Sequence, residues 1–317
     1  MSENKGLLGS GWAMVMRNRR YIFWFWLLNL ALAMAGAAVF HRQAAAVLDH
    51  SLYSKGVVRG FDLGVFVEML VRPEFGPTAA SHDAAVGFAV FFFAFTALFL
   101  PGVFQGYSST YRLPREDFFR ACGRNLWRFI RLLVVAGIVL GVVAGLLFGL
   151  HGVLEEKARE STNEMLLPYV QLIGLVVIFL VMAALRIWFD LAEVDVVLSD
   201  EWAVRRSIRA GFRHTWRNLG PLLASYVVTT VVAAIILLAG ICVWRYWIAP
   251  DRIVMAFAVS QLTLLLLLIP RFWQRGIAVS YWQQKMLAPV VRSAPVVPQP
   301  APDLAAVGGP SVEPEQA

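Results

Sequence analysis

The chain alternates long apolar runs with short charged stretches. Apolar residues fill Tyr21 to Phe40 and then 85–105, 129–149, 168–188, 221–243 and 253–272. A helix rises about 1.5 Å per residue, so roughly 20 such residues cross a hydrocarbon core of about 30 Å. Six runs predict an all-α fold: a polytopic membrane helix bundle with six transmembrane helices, over residues 1–287. The first run exceeds the roughly 7–15 apolar residues of a signal-peptide core and follows a basic leader, so it is expected as an uncleaved anchor. Pro168 suits a first helical turn. Past Trp188, Arg186, Asp190 and Glu193 are spaced to share a helix face and pair.

The intervening segments are read from the same pattern. Residues 41–84 are expected as the longest loop, with a short surface helix from Phe61 to Arg72 ended by Pro73. Residues 150–167 read as an acidic loop, and Pro250-Asp251 as a tight turn. Residues 288–317 turn to Pro, Ala and Val with few charges, the composition of a disordered tail.

Polar positions predict a second kind of helix. Glu201, Arg205, Arg209, Arg213 and Arg217 recur every fourth residue, flanked by Trp202 and Trp216, while Val204, Ile208, Gly211 and Thr215 lie opposite. A basic helix with Trp beside its charges, joined to a membrane-length run, reads as an amphipathic interfacial helix. Arg120, Arg124, Trp127 and Arg128 repeat the pattern of Arg209, Arg213, Trp216 and Arg217 at a shift of 89 residues, and Arg186-Ile187-Trp188 resembles Arg271-Phe272-Trp273 at a shift of 85. Such echoes suggest duplicated hairpins, each an interfacial basic helix followed by a span out and a span back. In the third run Gly137, Gly141, Gly145 and Gly149 form one ridge, the small-residue pattern of tight helix packing in lipid.

Composition sharpens this picture. Hydrophobic residues make up 59% and charged residues 15%, against about 45–50% and about 25% in soluble domains. The net charge of +7 is explained by its distribution and implies no nucleic-acid partner: of 28 Lys and Arg, 20 fall in segments that six spans place on one side and 8 on the other. The positive-inside rule then predicts a bacterial inner membrane protein with both termini cytoplasmic. Cys122 and Cys242 are expected far apart, which leaves neither a disulfide nor a thiolate metal site.

Candidate chemistry is sparse. No Asp or Glu lies mid-span, which argues against carboxylate-coupled transport. Gln171, Ser225, Tyr226, Thr229, Thr230, Ser260, Gln261 and Thr263 are read as hydrogen-bonding between helices in preference to lining a path. His41, His50, His82 and His151 have no recognised ligand spacing, and no phosphate loop, nucleophile elbow or zinc-protease signature is present. Catalytic residues, metals and cofactors are therefore expected to be none. Arginines near an anionic leaflet each contribute about 1 kcal/mol, so Arg120, Arg124, Arg128, Arg205, Arg209, Arg213 and Arg217, with Trp127 and Trp216, are the candidate contacts for lipid headgroups.

The order Ala203, Arg205-Arg206-Ser207, Arg209, Trp216-Arg217, followed by an apolar span, resembles the cytoplasmic motif of the membrane domain attached to some bacterial glycerophosphodiester phosphodiesterases, and of related six-helix membrane proteins. Arg186 and Trp188 fit the same pattern. Where those proteins often carry Glu ahead of the arginines, this chain has Ser199-Asp200-Glu201. The resemblance covers about 35 residues and implies an all-helical membrane domain, without phosphodiesterase chemistry, which belongs to a soluble domain. The expected function is a non-catalytic module contacting membrane lipid, or a protein partner or second copy of itself. The alternative is a small-molecule transporter with the glycine ridge as a sliding surface.

Overall fold

The computed structural model describes residues 6–48, 79–161, 163, 165–200, 202–249 and 252–287, with backbone alone at 36–48, 79–85 and 253. The described residues contain helices and no strand. In chain order the helices are α1 (Leu7–Arg17), α2 (Arg20–Leu48), α3 (Ala79–Ser108), α4 (Arg115–Glu160), α5 (Leu166–Leu198), α6 (Val204–Arg217), α7 (Leu219–Trp247) and α8 (Ile253–Tyr281), which continues as a π-turn over Trp282–Leu287.

Five of these, α3, α4, α5, α7 and α8, are long and apolar enough to cross a membrane. The first predicted span appears as a shorter apolar helix, Arg20–Ala35, among the residues with described side chains. Between 6% and 28% of each crossing window is buried, too little for a water-exposed bundle, so the apolar stems depend on a nonaqueous surrounding.

Four expectations are corrected. The predicted basic helix around Arg120–Arg128 is the opening of α4, continuous with the third span, because no proline or cap interrupts it. After Arg217, by contrast, Asn218 caps α6 and Gly220-Pro221 follows in the first turn of α7, separating the two helices. The predicted acidic loop is helical as far as Glu160. Its charges suit that end: Glu116 and Asp117 sit in the first turn of α4, Lys157 and Arg159 in the last, each opposing the helix dipole. The predicted 41–84 loop likewise shrinks, since α2 reaches Leu48 and α3 starts at Ala79; the Phe61–Arg72 helix, the Pro250-Asp251 turn and the 288–317 tail lie outside the described residues.

The fourth correction concerns the glycine ridge. A Cβ added at Gly137, Gly141, Gly145 or Gly149 would meet nothing within 4 Å. The ridge faces outward, and α4 packs on α5 instead through Leu132 and Ala136 against Phe189, Ala192 and Val196.

The main core gathers at the arginine-rich end of the helices. Val103, Phe104 and Tyr107 of α3, Phe129 of α4, Leu191 and Val194 of α5, and Phe272, Ile277 and Tyr281 of α8 are all buried there. At this end a short or initial helical segment docks three times on the end of a long one. On α5, Trp188 Nε1 donates to the Ile208 carbonyl of α6 at 2.8 Å, and its ring stands 5.0 Å from Phe212. On α8, Trp273 Nε1 donates to the Leu8 carbonyl of α1 at 2.9 Å, with its ring 5.0 Å from Trp12. On α3, Phe99 meets Phe119 of α4 at 6.2 Å.

Close approach selects glycine at two of these docks. A Cβ at Gly211 would lie 2.9 Å from the Trp188 carbonyl oxygen, and one at Gly11 would lie 2.8 Å from the Ile277 nitrogen. Each docking segment also carries an Asn whose side-chain amide donates to the carbonyl four residues back: Asn18 to Met14 at 3.1 Å, Asn125 to Ala121 at 3.0 Å and Asn218 to His214 at 3.4 Å. Three Arg-Asn pairs, at 17–18, 124–125 and 217–218, thus mark three related units.

Candidate functional site

Helix α6 divides as its sequence predicts. Ser207, Gly211 and Thr215 are buried against α5, with Val204 and Ile208 packed beside them. Arg205, Arg206, Arg209, Arg213, Trp216 and Arg217 are exposed on the other side. The small face permits close docking on α5, and that docking leaves the arginines outward.

The arginines of α4 fare differently. Arg120 is exposed and pairs with Asp117 at 3.1 Å, while Trp127 is exposed with the Arg131 guanidinium 4.9 Å from its ring centre. Arg128 is buried: it donates to Asp200 at 2.9 Å and lies 4.7 Å from the centre of the Trp202 ring. Arg124 approaches the same carboxylate at 3.9 Å. Asp200 turns the chain between α5 and α6 with φ 54°, a left-handed conformation that Asp tolerates better than most residues. Asp200 therefore ties the second basic element to the first. Arg128 is a structural link more than a surface contact.

Beneath this surface lies a buried charge cluster. Arg186 Nε is 3.0 Å from Asp190 Oδ1, the pairing that spacing predicted. Asp190 Oδ2 accepts from the Tyr226 hydroxyl of α7 at 2.9 Å. Glu193, one turn on, is 2% exposed and its Oε2 has no hydrogen-bond partner; Arg275 of α8 is 5% exposed with an unbonded Nε. Arg271 completes a set of three guanidiniums acting on two carboxylates. Gln274 of α8 donates to Thr229 and Thr230 of α7 at 3.1 and 3.3 Å, so those hydroxyls join helices, as expected. Arg186 and Arg271, the matched pair of the 85-residue echo, meet in this cluster.

Spacing put Glu193 on the face of Arg186 and Asp190, but sequence reading missed Arg275 as a buried partner, although Arg271 and Arg275 are four residues apart and share a helix face. It also paired Arg120 and Arg209 at a shift of 89, where the Asn bonds and docking rings align Arg124 with Arg217 at 93. The Arg-Asn pairs were the signal that could have found this register.

His214 of α6 is half-buried. Burial holds its imidazole below the ordinary histidine range, Asp195 opposes that shift, and Arg213 and Arg217 add to it. On the opposite end of α4, His151 faces Glu155 at 3.6 Å. The side chains of His41, His50 and His82 lie outside the described residues, among which no group of three or more His, Cys, Asp or Glu is placed to hold a metal. Cys122 is buried and Cys242 exposed, both free. No protein-family model, curated protein or solved structure matches the chain.

Proposed function

We propose that this chain is a six-span bacterial inner-membrane protein, with both termini cytoplasmic, that acts without catalysis as a module contacting anionic lipid. The observation that carries the reading is the exposed face of α6, where Arg205, Arg209, Arg213 and Arg217 stand with Trp216 and all point away from α5. Four exposed guanidiniums on one side of a helix, with no ion pair among the described residues, attract anionic headgroups by about 1 kcal/mol each, and the Trp ring suits the depth between headgroup and acyl chain. The core beside them anchors the helix and keeps this face outward. The resemblance of residues 203–217 to six-helix membrane domains points the same way.

The test is retention of anionic lipid by the purified protein. Replacing Arg205, Arg209, Arg213 and Arg217 with Gln should reduce the number of phosphatidylglycerol molecules that copurify, in a protein that still inserts and melts normally. Unchanged lipid retention in that variant would refute the reading.

A further inference from the structure

A groove of about 700 Å³ lies where the start of α2, the middle of α3 and the start of α4 meet, lined by no residue of α6. Arg20, Arg112 and Arg115 stand at one end, Trp24 and Phe119 form its sides, and Ala31 marks the other end. Trp24 and Phe119 are 63% and 59% exposed, so the groove opens laterally along much of its length.

The charged end is prepared for an anion. Arg20 is fixed in place: its Nη2 donates to the Tyr21 hydroxyl and to the Leu113 carbonyl, each at 3.0 Å, and its guanidinium lies 4.9 Å from the centre of the Tyr21 ring. Its Nε is buried with no hydrogen-bond partner. Arg112 and Arg115 are exposed and form no ion pair with any described residue, and the neighbouring Asp117 is engaged by Arg120. Guanidiniums bind phosphate oxygens through paired N–H donors, with more geometric control than a single point charge.

Length identifies the occupant. Arg20 and Ala31 are eleven positions apart on one helix, about 16 Å, which is half of a hydrocarbon core of about 30 Å. The groove is therefore one leaflet deep, charged at the headgroup end and apolar along the rest. A free phosphate would use the arginines and leave the apolar walls uncovered. We infer that the groove binds one anionic phospholipid, with its phosphate between Arg20, Arg112 and Arg115 and one acyl chain passing between Trp24 and Phe119 toward Ala31. This site is distinct from the α6 face and rests on the membrane-module reading only for the leaflet it faces.

Native mass spectrometry with added phosphatidylglycerol or phosphatidylcholine tests it. One phosphatidylglycerol should remain bound at activation energies that strip phosphatidylcholine, and millimolar inorganic phosphate should not displace it. Arg20→Gln, Arg112→Gln and Arg115→Gln together should weaken this binding at least tenfold. Ala31→Trp should weaken it severalfold by filling the tail end without changing charge. The four-Gln variant of α6 should keep the single bound lipid, whatever happens to its looser lipid, which separates the two sites. Phosphatidylglycerol carrying a brominated acyl chain should quench wild-type fluorescence more than that of Trp24→Phe, a readout that holds even if the triple variant misfolds. Equal retention of the two phospholipids, displacement by phosphate, unchanged binding in Ala31→Trp, loss of the single lipid in the α6 variant, or equal quenching would each overturn the inference.

Discussion

Tyr226 shows what single residues do in this protein. Its hydroxyl hydrogen-bonds a carboxylate that is itself only 1% exposed. A buried charge pair adds little net stability, because desolvation offsets attraction, yet leaving one member short of a partner is costly. Tyr226→Phe keeps the ring and removes that bond together with the hydroxyl's longer contact to the Gln274 carbonyl at 3.4 Å. It should destabilise the protein by about 1–3 kcal/mol, measured as a lowered thermal midpoint in detergent, and an unchanged midpoint would show that Asp190 finds compensation elsewhere. His214 makes a second prediction, of opposite kind. Its folded pKa is depressed by burial, so the unfolded chain, with a histidine near about 6.5, binds more protons at mildly acid pH. Stability is then whole above that value and falls as pH drops through it toward the folded pKa. Wild type should lose more of its thermal midpoint between pH 7.5 and 5.5 than His214→Gln does; equal losses would remove His214 from the account.

Among the elements, α6 was the most legible and α4 the least. The fourfold spacing of arginine and the small residues opposite predicted both faces of α6, because a docked amphipathic helix writes its burial pattern directly into the sequence. The dock itself has a sharp test. Gly211→Leu brings side chain against the Trp188 carbonyl and the Ala192 backbone, neither of which can rotate away, and overpacking of this kind costs about 1–3 kcal/mol. Amide hydrogens of 204–217 should exchange faster in that variant, whereas Gly141→Leu, with open space around it, should leave exchange unchanged throughout the monomer. Protection of α6 equal to wild type in Gly211→Leu would mean the helix is held by something other than close packing. The glycine ridge was misread for a physical reason: a stripe of small residues has the same spacing whether it meets a neighbour or faces outward, and only tertiary placement tells which. The extent of α4 was hidden similarly, since apolarity ends where the membrane ends but helical hydrogen bonding need not. Buried charge was legible in part. Arg186 and Asp190 pair within one helix, so spacing found them; Arg275 comes from α8, more than eighty residues on, and no local pattern connects the two.

For the molecule as a whole, the three docks form a closed chain of contacts. The opening of α4 docks on α3, α6 docks on α5, and α1, the first described helix, docks on α8, the last. Each unit thus covers the end of the one before it, and α1 performs for α8 what α6 performs for α5. Further bonds join the same ends: Ser10 meets the Ser280 hydroxyl at 2.5 Å, and Arg17 Nη2 donates to the Ser109 carbonyl at 2.8 Å. Because the far halves of the helices share so little buried surface, this ring of docks carries most of the cohesion between units. The consequence is that a lesson at α1 should spread. Gly11→Leu places side chain against the Ile277 backbone nitrogen, where a Cβ alone would already lie at 2.8 Å, and should release α1 from α8. If the ring is cooperative, exchange protection should fall not only in 7–17 but also in the ends of α3 and α8 around Tyr107 and Ser280, which α1 contacts through Arg17 and Ser10, while the α4–α5 contact through Leu132 and Phe189 stays protected. Faster exchange confined to α1 would instead make it a peripheral strap, and the three units would be neighbours that pack without closing on one another.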